Sequence, residues 1–343
     1  MVQGAGTYSG LAVLLAVSLG CSRETPPKLE ASTQPVAKSL EYSVVWGDTP
    51  LGVRSYWLEF SRGQLRIAGE ANGALFLASG QLYRWHQQEE ARQILKVCPD
   101  ANAEPSDDEA TAEDAARDDN HSQITVFGAE AERLDASGRV SISEPPSVED
   151  ATSFGNRVGL RASAGPYLFL ESSSDAIYCR AAHGSGQSSL ETFDLANQKF
   201  LTLPTKAELA ELGALARHSQ RVSLLECLAP RVGPDGRKLG SEELLELEPW
   251  SAVPILAPSG KLSFEVTLGM MRSHVEGVIR CPVIVEGSSA SLSRFAPPRG
   301  LDAFRKLQPK AELRGWSSLA PNELARLATI DRAFADHARG VEK

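Results

Sequence analysis

The residues of this chain with most chemistry open to them are its six histidines, five cysteines and five tryptophans. The histidines are His86, His121, His183, His218, His274 and His337. No two fall at His-x-x-x-His or His-x-His spacing, so no metal site and no cofactor is expected. His183 is the candidate ligand-binding residue. Small neighbours (Ala181, Ala182, Gly184) allow close backbone approach, in a cleft or equally in a tight turn that holds the ring for structural reasons. Gly-x-Ser-x-Gly does not occur, and Gly184-Ser185-Gly186 reads as a turn rather than a nucleophile elbow. The neighbouring carboxylates Glu242 and Glu243 read as solvated surface acids, whereas a glycosidase needs two that face one bond. Trp46, Trp57, Trp85, Trp250 and Trp316 have faces able to stack on sugars, but such scattered aromatics more commonly fill a core or its rim. No catalytic residue is assigned.

Cys21 is different. It follows an uncharged apolar run, Leu11 to Val17, and the small residue Gly20. The run is too short to span a bilayer, which takes about 20 residues. Residues 1–21 therefore read as a signal peptide ending at a lipidated cysteine. Two features depart from the usual pattern: Ser18 stands where leucine is common, and no Lys or Arg precedes Cys21. Plain secretion with an incidental Cys21 is the alternative. The remaining cysteines, Cys98, Cys179, Cys227 and Cys281, make an even set in an exported chain. They permit three disulfide pairings. The preferred one joins Cys227 to Cys281, as residues of one domain, and Cys98 to Cys179. Four buried free thiols are the alternative.

The elements that must carry these residues follow from composition and period. Of 343 residues, 42% are hydrophobic and 23% charged, enough for a packed core. The net charge of −9 argues against nucleic acid as a partner. Residues 22–41 are polar and carry Pro26, Pro27 and Pro35, the composition of a flexible, disordered spacer. From Tyr42 short alternating runs closed by glycines predict an antiparallel meander, a β-rich lobe over 42–98. Residues 99–123 hold nine carboxylates, Asp100 to Asp119, against Arg117, and predict a disordered acidic segment. With no glycine they do not match an EF-hand loop.

Strand signals return over an α+β domain at 124–295. Tyr167–Leu170 and Ala176–Cys179 are read as a hairpin around Ser172-Ser173-Ser174-Asp175. A second hairpin turns at Asn197-Gln198. Thr205-Lys206-Ala207-Glu208 is a capping-box pattern opening a helix over 206–218, with Leu209, Leu212 and Leu215 at helical spacing. A short helix is predicted at Ser241–Leu247, and strands at Leu262–Leu268 and Val278–Val285. Residues 296–343 read as helical, opened by Pro321 and striped by Leu324, Leu327, Ile330 and Phe334. The fold class is α+β: antiparallel β-sheets, a few helices, a spacer and an acidic loop. Residues 42–98 and 124–295 are read as two lobes in contact.

Residues Val158 to Leu212 carry Ala182-His183-Gly184, then Phe193-Asp194-Leu195, Leu201-Thr202-Leu203 and the helix opened by Thr205. This succession resembles a domain family of bacterial cell-envelope proteins, found in the extracellular part of lysozyme-sensing anti-sigma factors and ahead of a peptidoglycan deacetylase. The resemblance implies an antiparallel α+β fold and a binding or sensing module rather than an enzyme. The expectation is an exported protein, anchored to a membrane through lipid and facing periplasm or exterior. Its ligand would be peptidoglycan or an envelope protein. The alternative is a wall-modifying hydrolase whose site is assembled from distant residues.

Overall fold

The computed structural model describes residues 40–340 except 99–119, 180, 182, 233–236, 258–259, 272–277 and 288–289. Cys21, the spacer and all but the last residues of the acidic segment lie outside this set. Residues 39–343 cluster as one compact unit.

The chain opens with a meander, β1 (Glu41–Thr49), β2 (Gly52–Ser61) and β3 (Gln64–Asn72). A second meander follows: β4 (Leu75–Ala78), β5 (Gln81–Leu95), β6 (His121–Arg133) and β7 (Arg139–Ser143). Next come β8 (Ala151–Ala164), β9 (Tyr167–Tyr178), β10 (Ser185–Asp194) and β11 (Lys199–Leu201). Helices α1 (Lys206–Ser219) and α2 (Arg221–Leu228) lead into β12 (Glu248–Leu256), β13 (Leu262–Met271) and β14 (Val278–Glu286). The chain closes with α3 (Leu301–Leu307), β15 (Glu312–Ser318) and α4 (Leu327–Ala338). The class is α+β with mostly antiparallel pairing, as the alternating runs predict.

Three sheets form. The largest has eight strands in the order β11-β10-β9-β8-β15-β1-β2-β3. It draws on both the 42–98 and the 124–295 stretches, with β15 inserted between them. Beside it are β4–β7 and β12–β14, each in sequence order. Alternation along the strands sorts the large sheet's side chains onto two faces. Val45, Leu58, Ala162 and Phe169 join Phe264, Phe295, Leu212 and Leu224 on the β12–β14 side. Leu168, Leu170 and Phe193 join Phe76 and Tyr83 of the second meander. The predicted α4 stripe is realised in part. Ile330 and Phe334 pack with Tyr42, Val44 and Trp57, but Leu324 is exposed in a 3-10 turn over Pro321–Arg326.

The insertion of β15 is the least local feature, and the helical reading of the C-terminal residues does not anticipate it. Gly315 permits it: the buried Trp46 indole of β1 crosses above Gly315 and donates to Ser163 Oγ of β8 at 2.7 Å. Any side chain at 315 would collide with both groups.

Two turns move. Ser172–Asp175 do not form a turn, because β9 runs straight through them. It pairs with Val158–Gly155 on one side and Ser189–Gly186 on the other. Ladder hydrogen bonds on both edges outweigh the weak strand preference of serine and aspartate. Gly184-Ser185-Gly186 is likewise not a turn, since β10 starts at Ser185. The expected helix at Ser241–Leu247 shortens to one 3-10 turn, Glu243–Leu245, opened by Glu243 accepting from the Gly240 N–H. The Asn197-Gln198 hairpin forms, with Gln198 at φ 51°. Strand pairing in β6 reaches back to His121.

Candidate functional site

A cleft of about 470 Å³ opens between the β8–β10 end of the large sheet and the outward face of β12–β14. Each wall is shaped by a local irregularity. On β8 a register shift between Leu160 and Ala162 turns Arg161 toward the cleft while Ala162 stays buried. Its guanidinium Nη2 donates to Glu265 Oε1 on β13 at 2.8 Å, and Nη1 lies 3.5 Å from Glu171 Oε2 on β9. One cation thus bridges two carboxylates on opposite sheets.

On β12 a second shift, between Pro249 and Ser251, frees Trp250 to lie across Gly269 of β13. A methyl group at 269 would come within 2.6 Å of the indole ring. Gly269 pairs with Arg280 on β14, so Trp250, Gly269 and Arg280 form a row across the sheet. The Arg280 guanidinium carbon stands 6.0 Å from the indole centroid, and Nη1 approaches Ser188 Oγ of β10 at 3.4 Å. Arg280 is exposed, and among the described residues no carboxylate pairs with it. Serine and threonine hydroxyls complete the polar lining. A further cleft of about 510 Å³ shares Glu171 and lies toward β5 and β6. There the Asn156 amide donates to Phe127 O and accepts from Phe127 N–H, standing in for strand pairing.

Both disulfides take the preferred pairing. Cys227–Cys281 ties α2 to β14, one residue from Arg280, with Cα atoms 5.9 Å apart. Cys98–Cys179 ties the end of β5 to the end of β9, with Cα atoms 5.4 Å apart. Beside it the Asn120 side chain donates to Val97 O and accepts from Val97 N–H. The two ends of the acidic stretch are therefore clasped together. Two structural disulfides place the folded body in an oxidising, extracytoplasmic environment. No described helix is long and apolar enough to cross a membrane.

His183 lines neither cleft. It is exposed, and its Nδ1 lies 3.3 Å from the carbonyl of Gly184. Glu242 and Glu243 both meet Arg237. Trp46, Trp57 and Trp316 are core residues, whereas Trp250 is half-buried at the cleft rim. Among the described residues no cluster of three metal-ligating side chains occurs. Arg161, Glu171, Glu265 and Arg280 are not singled out by sequence reasoning. Their signal is modest: Glu265 and Arg280 are single charges set between buried apolar neighbours, as Phe264, Val266, Ile279 and Cys281 show.

At the start of α1, Glu208 ties the helix to its N-cap and to Arg294. It accepts from the Thr205 N–H at 2.7 Å in the expected capping box and from Arg294 Nη1 at 2.6 Å. Burial pushes its carboxyl pKa up, but the hydrogen bonds from Arg294 and Thr205 outweigh this and hold it below the usual carboxylate range.

No family model, curated protein or solved structure matches this chain.

Proposed function

We propose that this chain is an exported cell-envelope protein, anchored through Cys21, whose folded body is a non-catalytic binding or sensing module acting through the Arg161–Arg280 cleft. The observation that carries the reading is the state of the cleft's carboxylates. Glu171 and Glu265 are both engaged by Arg161, and what remains for a ligand is a recognition surface: Arg280, the edge of Trp250 and a set of hydroxyls. A mostly preformed concave site with a few convergent polar groups is the usual form of a ligand site. The Val158–Leu212 resemblance supports the same reading, and the disulfides agree with an exported life.

The test is retention of the full chain on immobilised peptidoglycan, lysozyme and envelope extract, beside Arg280→Glu and Trp250→Ala variants. Retention by one matrix, weakened by both variants, supports the reading; failure on all three contradicts it. Anchoring is tested separately, because Cys21→Ser should move the protein from the membrane pellet to the soluble extracytoplasmic fraction.

One observation favours the hydrolase alternative: two carboxylates distant in sequence, Glu171 and Glu265, meet on one guanidinium. Wall hydrolysis lost in Glu171→Gln and Glu265→Gln, with binding kept, would establish it.

A further inference from the structure

Consecutive residues of a strand point to opposite faces. The cleft is nevertheless lined by Ser188, Ser189 and Leu190 in succession. A cavity that touches three residues in a row runs along the strand's edge, against its backbone. That edge is open. β11 covers only Thr192–Asp194 of β10, and among the described residues Ser185–Glu191 pair with β9 alone. The unpaired stretch is seven residues long, about 23 Å at the strand rise.

Exposed edges are ordinarily blunted by proline, lysine or a covering element. The outer strands of the neighbouring sheet follow this rule, with Pro249 and Pro254 in β12 and Pro282 in β14. Ser185-Gly186-Gln187-Ser188-Ser189-Leu190-Glu191 contains neither proline nor lysine, and Ser185–Ser189 are exposed. An unguarded edge beside a cleft has the geometry by which a partner segment adds a strand: main-chain hydrogen bonds give affinity and side-chain contacts give selectivity.

The charge pattern selects the partner. Arg161 is engaged by two carboxylates, whereas Arg280 faces the same cleft with a hydroxyl and an indole for neighbours. A guanidinium placed so binds a carboxylate through charge-assisted hydrogen bonds. We infer that the cleft takes an extended acidic segment of a protein partner, which pairs with the open edge of β10 and presents an Asp or Glu side chain to Arg280. The inference rests on the binding reading above and names the ligand class for that site.

The experiment uses the full chain and fluorescent, end-capped heptapeptides read by anisotropy. The probe is acetyl-Thr-Val-Thr-Glu-Thr-Val-Thr-amide. Its counterparts carry lysine in place of glutamate, or N-methyl groups on alternate amides. The glutamate peptide is expected to bind at least tenfold tighter than the lysine peptide and than either N-methylated register. Arg280→Glu, a surface change checked for an unaltered melting temperature, should reverse the Glu-over-Lys preference. Equal binding of the N-methylated peptides, an unchanged preference in Arg280→Glu, or no binding of the glutamate peptide up to millimolar concentration would each overturn the inference. An N-acetylglucosamine tetrasaccharide that binds the wild type but not Trp250→Ala, where no peptide binds, would overturn it and leave the binding reading standing. Failure of that reading shows separately, as loss of retention on every envelope matrix.

Discussion

Arg161 Nη2 and Glu265 Oε1 meet at 2.8 Å although 104 positions separate them, and the contact joins β8 of the large sheet to β13 of the small one. Both side chains are partly exposed, so solvent screens the pair and its worth to stability is about 0–1 kcal/mol. Its importance lies in geometry: it links the two walls of the cleft. Glu265→Gln is expected to leave the melting temperature within a few degrees of wild type and to weaken retention on the cognate envelope matrix several-fold. Thermal melts paired with retention assays check this. An unfolded variant, or one that binds normally, would show that the pair has another role.

How much of this was legible beforehand varies with the range of the interaction. The capping box at Thr205 and Glu208 is local, and the helix it opens stands where expected. The alternation of Ile279, Cys281, Val283 and Val285 is local too, and marks the buried face of β14. Pairing Cys227 with Cys281 needed only the idea that neighbours in one domain bond. The turn expected at Ser172–Asp175 failed because composition carries no record of strands lying on both sides of β9. The insertion of β15 beside β8 depends on a Trp46–Ser163 hydrogen bond spanning 117 positions. The cleft is harder still, since Arg161, Glu171, Glu265 and Arg280 sit on four strands of two sheets. His183, the residue that drew attention for its small neighbours, lies outside it.

Gly269 makes room for Trp250. Gly269→Ala places a methyl 2.6 Å from the indole carbons, so the ring must swing away. The change should alter the Trp250 fluorescence contribution, taken as the difference from a Trp250→Phe background, and weaken ligand retention. An unchanged difference spectrum would show that the indole does not rest on Gly269 in solution.

Glu208 and Arg294 form a largely buried ion pair, with Glu208 7% and Arg294 30% exposed at the side chain. Glu208→Gln removes one charge of this pair and is expected to cost about 2–3 kcal/mol, less than a fully buried pair because Arg294 keeps some solvent. The folded-state pKa of Glu208 lies below its unfolded value. Its stabilisation is therefore complete above the unfolded value and fades as pH falls through the folded one. Urea melts of wild type and Glu208→Gln should differ at neutral pH and converge in acid.

The disulfides enclose loops of 54 and 81 residues, so each is worth about 4 kcal/mol in the chain-entropy view. They should differ in function. Replacing Cys227 and Cys281 by serine frees β14 beside Arg280 and should reduce both stability and ligand retention. Replacing Cys98 and Cys179 should reduce stability and leave retention by the folded fraction intact. Melts combined with retention at low temperature separate the two effects.

The most direct measurement compares the full chain with two surface variants on its cognate envelope matrix. Arg280→Glu alters the cleft, and Leu51→Ser alters the 80% exposed tip of the β1–β2 hairpin. Retention should fall at least tenfold for Arg280→Glu and stay unchanged for Leu51→Ser. Equal retention of Arg280→Glu and wild type would show that ligands are held elsewhere on the molecule.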